Sequence, residues 1–422
     1  MPGWGFRLRK EACWQTSHRH SAVNSPEELC LSELRNKDYS MSEVHMNKIF
    51  EDVLLAGYYG RQNVGDDCFG VIGTWGARNY WHTETVRLLS HYPLTSTVAT
   101  VSCLPPRPSF KGQNLLATCY RMLKAGVVVW AGGSTFHSRQ VWHAPKALSM
   151  AASKIGAVPA GAIGVSLGPY RSIEDEKAVH SQLTSLNFLA LRDATSFQEA
   201  LTLDLPYPPV LASDLAMLLP RIKPTGESRW KEDILGISLC HYERYAGKKI
   251  AREEQRENDL LLALTRLLQN GYSGKLRFFI FNGHDRYGDA EITRQFLHKV
   301  TPYSRDIEVV PYSADPLDIF NKVAECSFFL TIRLHGCIYA AAANVPCVSI
   351  EYHKKCSDFL DDIGVDPQWR VGDLDCGADH LSDLLGRLAG YREDGFYPGR
   401  DRLIHLAEQN FLGPVQHYRT KD

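Results

Sequence analysis

The chain has 422 residues, of which 44% are hydrophobic and 23% are charged, and 47 basic against 48 acidic residues give it a formal net charge of −1. This length is too great for one hydrophobic core and predicts two domains. Because the charge is balanced, no overall field favours nucleic acid as a partner. No apolar run approaches the roughly 20 residues needed for a transmembrane segment.

Eleven cysteines without a CxxC pair indicate neither a disulfide framework nor a zinc site. This pattern fits a reducing compartment, and we expect a cytoplasmic protein. No metal-binding residues and no cofactor are predicted, and metal dependence stays open. Peripheral attachment to the inner face of the membrane stays open.

Residues 1–48 are polar and lack periodicity, which predicts a poorly ordered extension. After them, short apolar runs alternate with amphipathic stretches, a pattern typical of doubly wound α/β chains. In the first half the predicted strands are 53–56, 97–101, 127–130, 162–165 and 188–191, and the predicted helices are 66–78, 145–154 and 197–201.

Prolines at 206, 208 and 209, followed by the turn-forming segment 220–226, predict a domain boundary near residue 222. The alternation then resumes, with predicted strands 234–239, 276–281, 307–310, 328–332 and 347–350 and predicted helices 253–269, 290–300, 315–324 and 337–344. The prediction is an α/β, GT-B-like chain with two Rossmann-type domains, 49–222 and 223–422, that face a central cleft. Whether the last helix crosses back to the first domain stays open.

Ligands of open parallel sheets bind beyond the carboxyl ends of the strands. Strand 328–332 ends in Arg333-Leu334-His335-Gly336, directly before a helix of small residues. A guanidinium fork matches the paired oxygens of a carboxylate or phosphate, and a helix start adds free N–H groups. The pattern predicts an anion site with Arg333 and with His335 as a proton donor. A salt-bridged arginine and a helix-capping histidine would give the same pattern.

Three further strand ends carry candidates. Gly132-Gly133-Ser134 would let the backbone approach a ligand closely, or would simply form a turn. Asp66 and Asp67 could bind metal, orient a sugar hydroxyl or favour a helix N-terminus. Arg192 can reach a ligand only if the adjacent Asp193 faces away.

Positive charge also follows strand 347–350, where Lys355 would lie at the same sheet edge as Arg333. His284 follows strand 276–281, with acceptor recognition and a structural role equally open. The sequence has no HExxH, GxSxG or P-loop motif, which argues against a zincin, an α/β-hydrolase and a P-loop kinase.

Taken in chain order, these motifs resemble the polysaccharide pyruvyl transferase family over about residues 54–364. The family pattern G-Y-x-G-x-x-N-x-G-D-E appears at 57–67, with Asp67 in place of the usual glutamate. The other motifs are G-G-[GS] at 132–134, G-x-x-x-G-P at 164–169, R-D-x-x-S at 192–196, D-x-x-x-L-L-P at 214–220, and R-L-H-[AG] at 333–336 followed by Pro346, Ile350, Tyr352 and Lys355.

The resemblance implies an enzyme that transfers the enolpyruvyl unit of phosphoenolpyruvate to a sugar diol as a pyruvate ketal. Such an enzyme would act in exopolysaccharide, capsule or cell-wall polymer biosynthesis. Phosphoenolpyruvate would be a co-substrate, and whether the sugar acceptor is lipid-linked stays open. The acceptor would bind on the 49–222 side and phosphoenolpyruvate on the 223–422 side.

The resemblance also implies roles for individual residues. Arg192 and Arg333 would clamp phosphoenolpyruvate, His335 would be the general acid, and Lys355 would neutralise the departing phosphate. Asp66 or Asp67 would orient or deprotonate the acceptor. The remaining predicted substrate contacts are Asn63, Gly132, Gly133, Ser134 and His284.

Two alternatives remain open at this point. One is a GT-B glycosyltransferase with a nucleotide-sugar donor, although no acidic ribose-binding residue is evident in the second half. The other is a non-catalytic module that binds sugars or anions.

Overall fold

Thirteen strands in the described part of the chain form two sheets, in which all neighbouring strands are parallel. The computed structural model describes residues 48–95, 99–103, 109–138, 143–224, 233–246, 250–304, 306–373, 376–393 and 395–419. The predicted extension 1–48 lies outside these ranges except for its last residue.

The first sheet has seven strands in the order β3-β2-β1-β4-β5-β6-β7. The strands are β1 (Asp52–Ala56), β2 (Thr85–Ser90), β3 (Thr100–Cys103), β4 (Val127–Phe136), β5 (Ala160–Leu167), β6 (Phe188–Leu191) and β7 (Val210–Leu211). The helices of this half are α1 (Val64–Asn79), α2 (Gln113–Leu123), α3 (His143–Lys154), α4 (Ile173–Leu183), α5 (Ala194–Leu201) and α6 (Leu219–Ile222), with a 3₁₀ turn at Leu215–Leu218.

The second sheet has six strands in the order β10-β9-β8-β11-β12-β13. The strands are β8 (Ile234–Ser238), β9 (Lys275–Phe279), β10 (Ile307–Val310), β11 (Phe328–Thr331), β12 (Cys347–Glu351) and β13 (Arg370–Gly372). The helices are α7 (Glu243–Ala246), α8 (Ile250–Gln269), α9 (Ala290–Val300), α10 (Pro316–Ala324), α11 (Leu334–Ala342), α12 (Lys354–Ile363), α13 (Ala378–Ala389) and α14 (Arg400–Arg419), with a 3₁₀ turn at Pro367–Trp369.

The central strands are short runs of apolar and small residues because both of their faces are covered. Every residue of β5 and of β8 is buried, as expected for parallel sheets that carry helices on both sides. The predicted α/β class with two Rossmann-type sheets is confirmed. The sheets belong to one compact unit of the chain, and the predicted division near residue 222 stays a prediction.

Several observed helices and strands were not predicted or have other bounds, and three of them show a physical reason. Strand β2 was missed because Arg87 interrupts its apolar run; the Arg87 Nε donates to Asp52 Oδ1 at 2.9 Å. Helix α4 was missed because only three of its residues, Asp175, Val179 and Leu183, are buried. Strand β4 continues to Phe136 instead of ending at residue 130, with an irregular register after Gly133.

The strand order places one edge of each sheet in a position to bind ligands. In both sheets the order reverses beside the first strand, between β1 and β4 and between β8 and β11. Connections leave such a pair in opposite directions, which opens a crevice at the carboxyl ends of the strands. Most candidate residues follow β1, β6, β11 and β12 at these ends or lie in the last part of β4.

The last helix, α14, packs against the first sheet. Trp81 Nε1 donates to the carbonyl oxygen of Phe411 at 2.9 Å, and Asn410 Oδ1 accepts from the Gly164 N–H at 2.6 Å. Among the described residues, no helix combines the length and the apolar character that crossing a bilayer requires.

Candidate functional site

Residues from both sheets line one cavity of about 190 Å³, which we call the cationic cavity. Eight predicted site residues contribute to its wall: Asn63, Asp66, Gly133, Ser134, Arg192, Arg333, His335 and Lys355. Phe281, Leu334 and Tyr352 complete it. The strand ends that were predicted separately from the sequence therefore meet in one place.

Arg333 is held by a buried carboxylate. Its Nε donates to Asp289 Oδ2 at 2.6 Å, and its Nη2 donates to Asp289 Oδ1. Only 1% of the Asp289 side chain is exposed, against 19% of the Arg333 side chain. One edge of the guanidinium is thus used inside the protein, while Nη1 makes no hydrogen bond with any described residue. The guanidinium group that was predicted to bind an anion therefore already uses two of its three nitrogens to bind Asp289.

Arg192 is arranged in a similar way from the first sheet. Its Nη1 donates to Asp214 Oδ2 and its Nε to Ser166 Oγ, both at 2.7 Å. Asp193 turns away and caps α5, accepting from the Ser196 N–H at 2.8 Å. The condition for Arg192 to reach a ligand, that its neighbour faces elsewhere, is therefore met.

Lys355 is the cation of this cavity that has no salt bridge with any described residue. Its Nζ donates to Ser134 Oγ, which joins the start of α12 to the end of β4. Burial and the positive charge of Arg192 lower the pKa of Lys355 to about 8. A cation desolvated beside a second cation gains more from an incoming anion than a solvated one does.

Asp66 brings a carboxyl group to the same cavity from the first turn of α1. Asn63 caps this helix, accepting from the Gly65 N–H at 3.3 Å, and its Nδ2 donates to Asp66 Oδ2 at 2.6 Å. Burial and the adjacent Asp67 raise the pKa of Asp66 to about 7, although Arg192 and Arg333 act in the opposite direction. A large fraction of this carboxyl group therefore carries a proton at neutral pH.

The imidazole of His335 packs against the start of α1. It contacts the ring of Phe69 edge to face, with centroids 5.3 Å apart, and a Cβ at Gly65 would overlap it. Its Nε2 is buried and has no hydrogen-bond partner among the described residues. Burial is the main cause that lowers the pKa of His335 to about 4, and the cations Arg192, Arg333 and Lys355 add to it. With the charges of the protein alone, this imidazole is neutral at pH 7.

The glycines of the predicted loop lie inside β4 and adopt positive φ. Gly132 has φ of +80° and a Cβ there would overlap Phe69, whereas Gly133 has φ of +75° and its Cβ would lie 3.5 Å from Asp66 Oδ1. Gly133 therefore lines the cavity, and Gly132 supports the packing behind it. The left-handed conformation at both positions explains why glycine is needed.

Besides Gly132, two predicted residues, Asp67 and His284, do not line the cavity. Asp67 is fully buried and joins the two halves, since its Oδ1 accepts from the Gly60 N–H at 2.6 Å and its Oδ2 from the Tyr312 hydroxyl at 2.8 Å. His284 is exposed and stabilises a turn, where its Nδ1 accepts from the N–H groups of Arg286 and Tyr287 at 3.1 and 3.2 Å.

Sequence reasoning missed Asp289, which orients Arg333. An aspartate directly before a helix suggests an N-cap, but Asp289 makes no side-chain cap hydrogen bond to α9. Its Oδ2 instead accepts from the Asn282 N–H at 2.9 Å. The missing cap hydrogen bond shows that Asp289 has another role, which is to hold Arg333. The sequence alone does not reveal that the cap bond is missing.

One group of described side chains, His241, Glu253 and Glu257, has metal-ligand spacing. His241 Nδ1 lies 2.8 Å from Glu257 Oε1 and 3.2 Å from Glu253 Oε1, and Arg244 Nε lies 3.2 Å from the same Glu253 oxygen. The arginine already supplies positive charge there. We therefore assign no metal to this group.

Solved structures of similar fold include UDP-N-acetylglucosamine 2-epimerases. A putative one from Listeria monocytogenes has 10% identity and a TM-score of 0.59 over 89% of this chain and 98% of that chain. The enzyme from Methanocaldococcus jannaschii has 12% identity and a TM-score of 0.56, over 86% of this chain and 99% of that chain. At such identity the likeness concerns the fold alone, and it confirms the GT-B-like arrangement.

A search of curated protein sequences finds no match. The family model of polysaccharide pyruvyl transferase, in contrast, matches residues 77–354, which is more than half of the chain. The matched segment includes Arg192, Arg333 and His335, whereas Asp66 precedes it and Lys355 directly follows it. The chain therefore belongs to the polysaccharide pyruvyl transferase family, a family of transferases with sugar acceptors.

Proposed function

We propose that the protein binds phosphoenolpyruvate in the cationic cavity and transfers its enolpyruvyl unit to two hydroxyls of a sugar as a pyruvate ketal. The observation that carries the proposal is the convergence of Arg192, Arg333 and Lys355 with Asp66 and His335 on one small cavity. Membership of the family supports the type of reaction.

The charges of the cavity match a small polyanion. Phosphoenolpyruvate carries a phosphate and a carboxylate, and guanidinium groups recognise both through paired oxygens. The buried partners Asp214 and Asp289 fix the planes of the two arginines. Lys355 is left as the cation without an acidic partner among the described residues, so we propose that it contacts the phosphate directly.

Ketal formation requires one proton on the substrate methylene carbon and the loss of one proton from each sugar hydroxyl. The first hydroxyl oxygen bonds to the central carbon as the methylene becomes a methyl group. The second hydroxyl oxygen then displaces phosphate, which leaves with the C–O bond electrons. Of the two hydroxyl protons, one balances the proton gained by carbon and the other leaves with phosphate.

We assign the proton donor to Asp66, because its raised pKa of about 7 leaves it partly protonated at neutral pH. His335, with a pKa lowered to about 4, is neutral at pH 7 and a weak base in the empty cavity. Its Nε2 has no hydrogen-bond partner among the described residues, and it would accept a proton from the attacking hydroxyl more readily once a bound polyanion raises its pKa. It would act as the general acid, the role implied by the resemblance, only if bound phosphoenolpyruvate raised its pKa. General acid and base catalysis of this kind contributes about 10²–10⁴-fold.

The test is incubation of the protein with phosphoenolpyruvate and a panel of neutral methyl hexopyranosides, and in parallel with UDP- and GDP-sugars. We expect free phosphate and a ketal product in the first series and no free nucleotide in the second. His335→Ala should keep the fold by circular dichroism and lose turnover. Release of nucleotide, or failure of phosphoenolpyruvate to bind in calorimetry, would contradict the proposal.

A further inference from the structure

A second and larger cavity, of about 390 Å³, adjoins the cationic cavity. The two share Arg192, Leu334 and Lys355 in their walls. A molecule in the larger cavity would therefore lie directly against a molecule in the smaller one. Asp66 and His335, the groups that transfer protons in the proposed reaction, do not line this larger cavity.

The larger cavity has an apolar base and a polar rim. Leu167, Ile338, Phe359 and Leu403 are at least 91% buried and line its base. Tyr170, Asp193, Glu199 and Asp358 contribute polar groups to the same wall. A pyranose ring has this amphipathic character, since its C–H faces are apolar and its edge carries hydroxyls.

Glu199 is arranged to accept hydrogen bonds from a ligand. Its Oε1 accepts from the Tyr170 hydroxyl at 2.5 Å and lies 2.8 Å from His180 Nε2. Its Oε2 makes no hydrogen bond with any described residue, and 28% of the side chain is exposed. The tyrosine and histidine fix one oxygen, which leaves the other to accept a sugar hydroxyl.

The charges of this cavity disfavour a second anion. Asp193, Glu199 and Asp358 are acidic, and Lys354 is already bonded to Asp358 at 2.5 Å. Arg192 and Lys355 lie where the two cavities meet, within the proposed phosphoenolpyruvate site. A carboxylated sugar or the diphosphate of a nucleotide would be repelled by these carboxylates.

We infer that the larger cavity is the acceptor subsite and that it takes a neutral hexopyranose, with Glu199 accepting one of its hydroxyls. The inference rests on the proposed function, because the sugar must face phosphoenolpyruvate across the wall formed by Arg192 and Lys355. Glu199 and Thr195 would then determine which sugar the acceptor subsite binds.

Two variants separate this inference from the proposed function. Thr195 is exposed at the start of α5 and lines the larger cavity but not the smaller one. Thr195→Trp should obstruct the sugar and raise the KM for a methyl hexopyranoside at least tenfold. Thr195→Ala is the matched control and should change it little. The Kd for phosphoenolpyruvate, measured by calorimetry, should stay within about twofold in both.

The charge preference is tested with methyl hexuronosides as competitive inhibitors, since their carboxylate replaces a hydroxyl that the ketal could need. In the wild type their Ki should exceed the KM of the neutral sugar by about tenfold, the scale expected from repulsion by a nearby carboxylate. Glu199→Gln should reduce the ratio of the uronoside Ki to the neutral-sugar KM, because it removes one of the repelling carboxylates. The control is Glu254→Gln, which removes an exposed charge on α8 outside both cavities.

The possible results distinguish failure of the acceptor subsite from failure of the proposed function. If phosphoenolpyruvate binds and turns over but Thr195→Trp leaves the acceptor KM unchanged, the acceptor subsite lies elsewhere and the proposed function stands. A Ki for the uronosides equal to the KM of the neutral sugars would overturn the inference that the substrate is neutral. Absence of turnover with every neutral hexopyranoside would overturn it too. Failure of phosphoenolpyruvate to bind the wild type would remove both proposals.

Discussion

Replacing Arg333 by lysine tests whether the geometry of its guanidinium, and not only its charge, binds the donor. Arg333 bonds Asp289 through Nε and Nη2 and keeps Nη1 for a ligand. A single lysine ammonium at this position can bond well to Asp289 or to the substrate anion, but it lacks the planar fork that serves both. The variant should therefore lose at least one charged hydrogen bond in the complex.

A hydrogen bond to a charged group contributes about 1.5–3 kcal/mol. Because about 1.4 kcal/mol corresponds to a factor of ten, we expect kcat/KM for phosphoenolpyruvate to fall about 10- to 150-fold in Arg333→Lys. The assay is phosphate release at varied phosphoenolpyruvate and saturating acceptor. Arg294→Lys serves as the control, since this arginine is 71% exposed and, among the described residues, bonds only to Glu291 on its own helix.

Two measurements of stability show whether a loss of activity in Arg333→Lys comes from the missing guanidinium or from unfolding. Thermal unfolding must show that Arg333→Lys is folded at the assay temperature, because its partner Asp289 is buried. Asp289→Asn should cost about 3–5 kcal/mol of stability because it leaves the charge of Arg333 without its partner, which gives the scale against which the stability of Arg333→Lys is judged. An Arg333→Lys enzyme within about threefold of wild-type kcat/KM would refute the reasoning.

The remaining predictions concern charge and packing in the cationic cavity. The pKa of Lys355 is lowered to about 8, so its charge is present below that pH and lost above it. The Kd for phosphoenolpyruvate, measured by calorimetric titration, should therefore rise above pH 8. Lys355→Arg should abolish this rise. Asp66→Asn should lower kcat/KM by about 10²–10⁴-fold. It should also remove the fall in kcat/KM that we expect of the wild type above pH 7, where the raised pKa of Asp66 implies loss of its proton; an unchanged pH profile of kcat/KM would exclude this residue as the acid. Gly65→Ala should displace His335 and reduce kcat at least tenfold with the fold retained, whereas Gly386→Ala, which meets nothing within 4 Å, should leave kcat unchanged; equal activity of the two would contradict the placement of the imidazole.

The sequence predicted the sheets well because their signal is local. Each buried parallel strand is a short apolar run, and β8, β11 and β12 were predicted to within about two residues of their observed ends. The approach of Arg333 to His335 was also predictable, since both follow one strand and precede one helix. Local chain direction is enough to bring two such side chains together.

What the sequence could not provide are contacts between distant segments. Asp66 and Asp67 are adjacent and chemically identical, yet helical geometry turns them apart. One lines the cavity, while the other bonds to Tyr312, which lies 245 residues along the chain. The choice between them depends on the position of the second sheet, and no pattern around either residue encodes that position.

The electrostatics of the cavity link donor binding to proton supply. Each arginine is matched by a buried carboxylate, Asp214 or Asp289, so the two pairs contribute little net charge. In the empty cavity near pH 7, the charges that can change are those of Lys355 and Asp66. A polyanion entering this space favours protonated forms of both, because each added proton reduces repulsion or strengthens attraction. Phosphoenolpyruvate would therefore raise the pKa of Asp66 further and load it with a proton as it binds, and that proton is the one the methylene carbon needs. A cavity that held only cations would not have this coupling, and in the proposed mechanism the carboxyl group of Asp66 provides it.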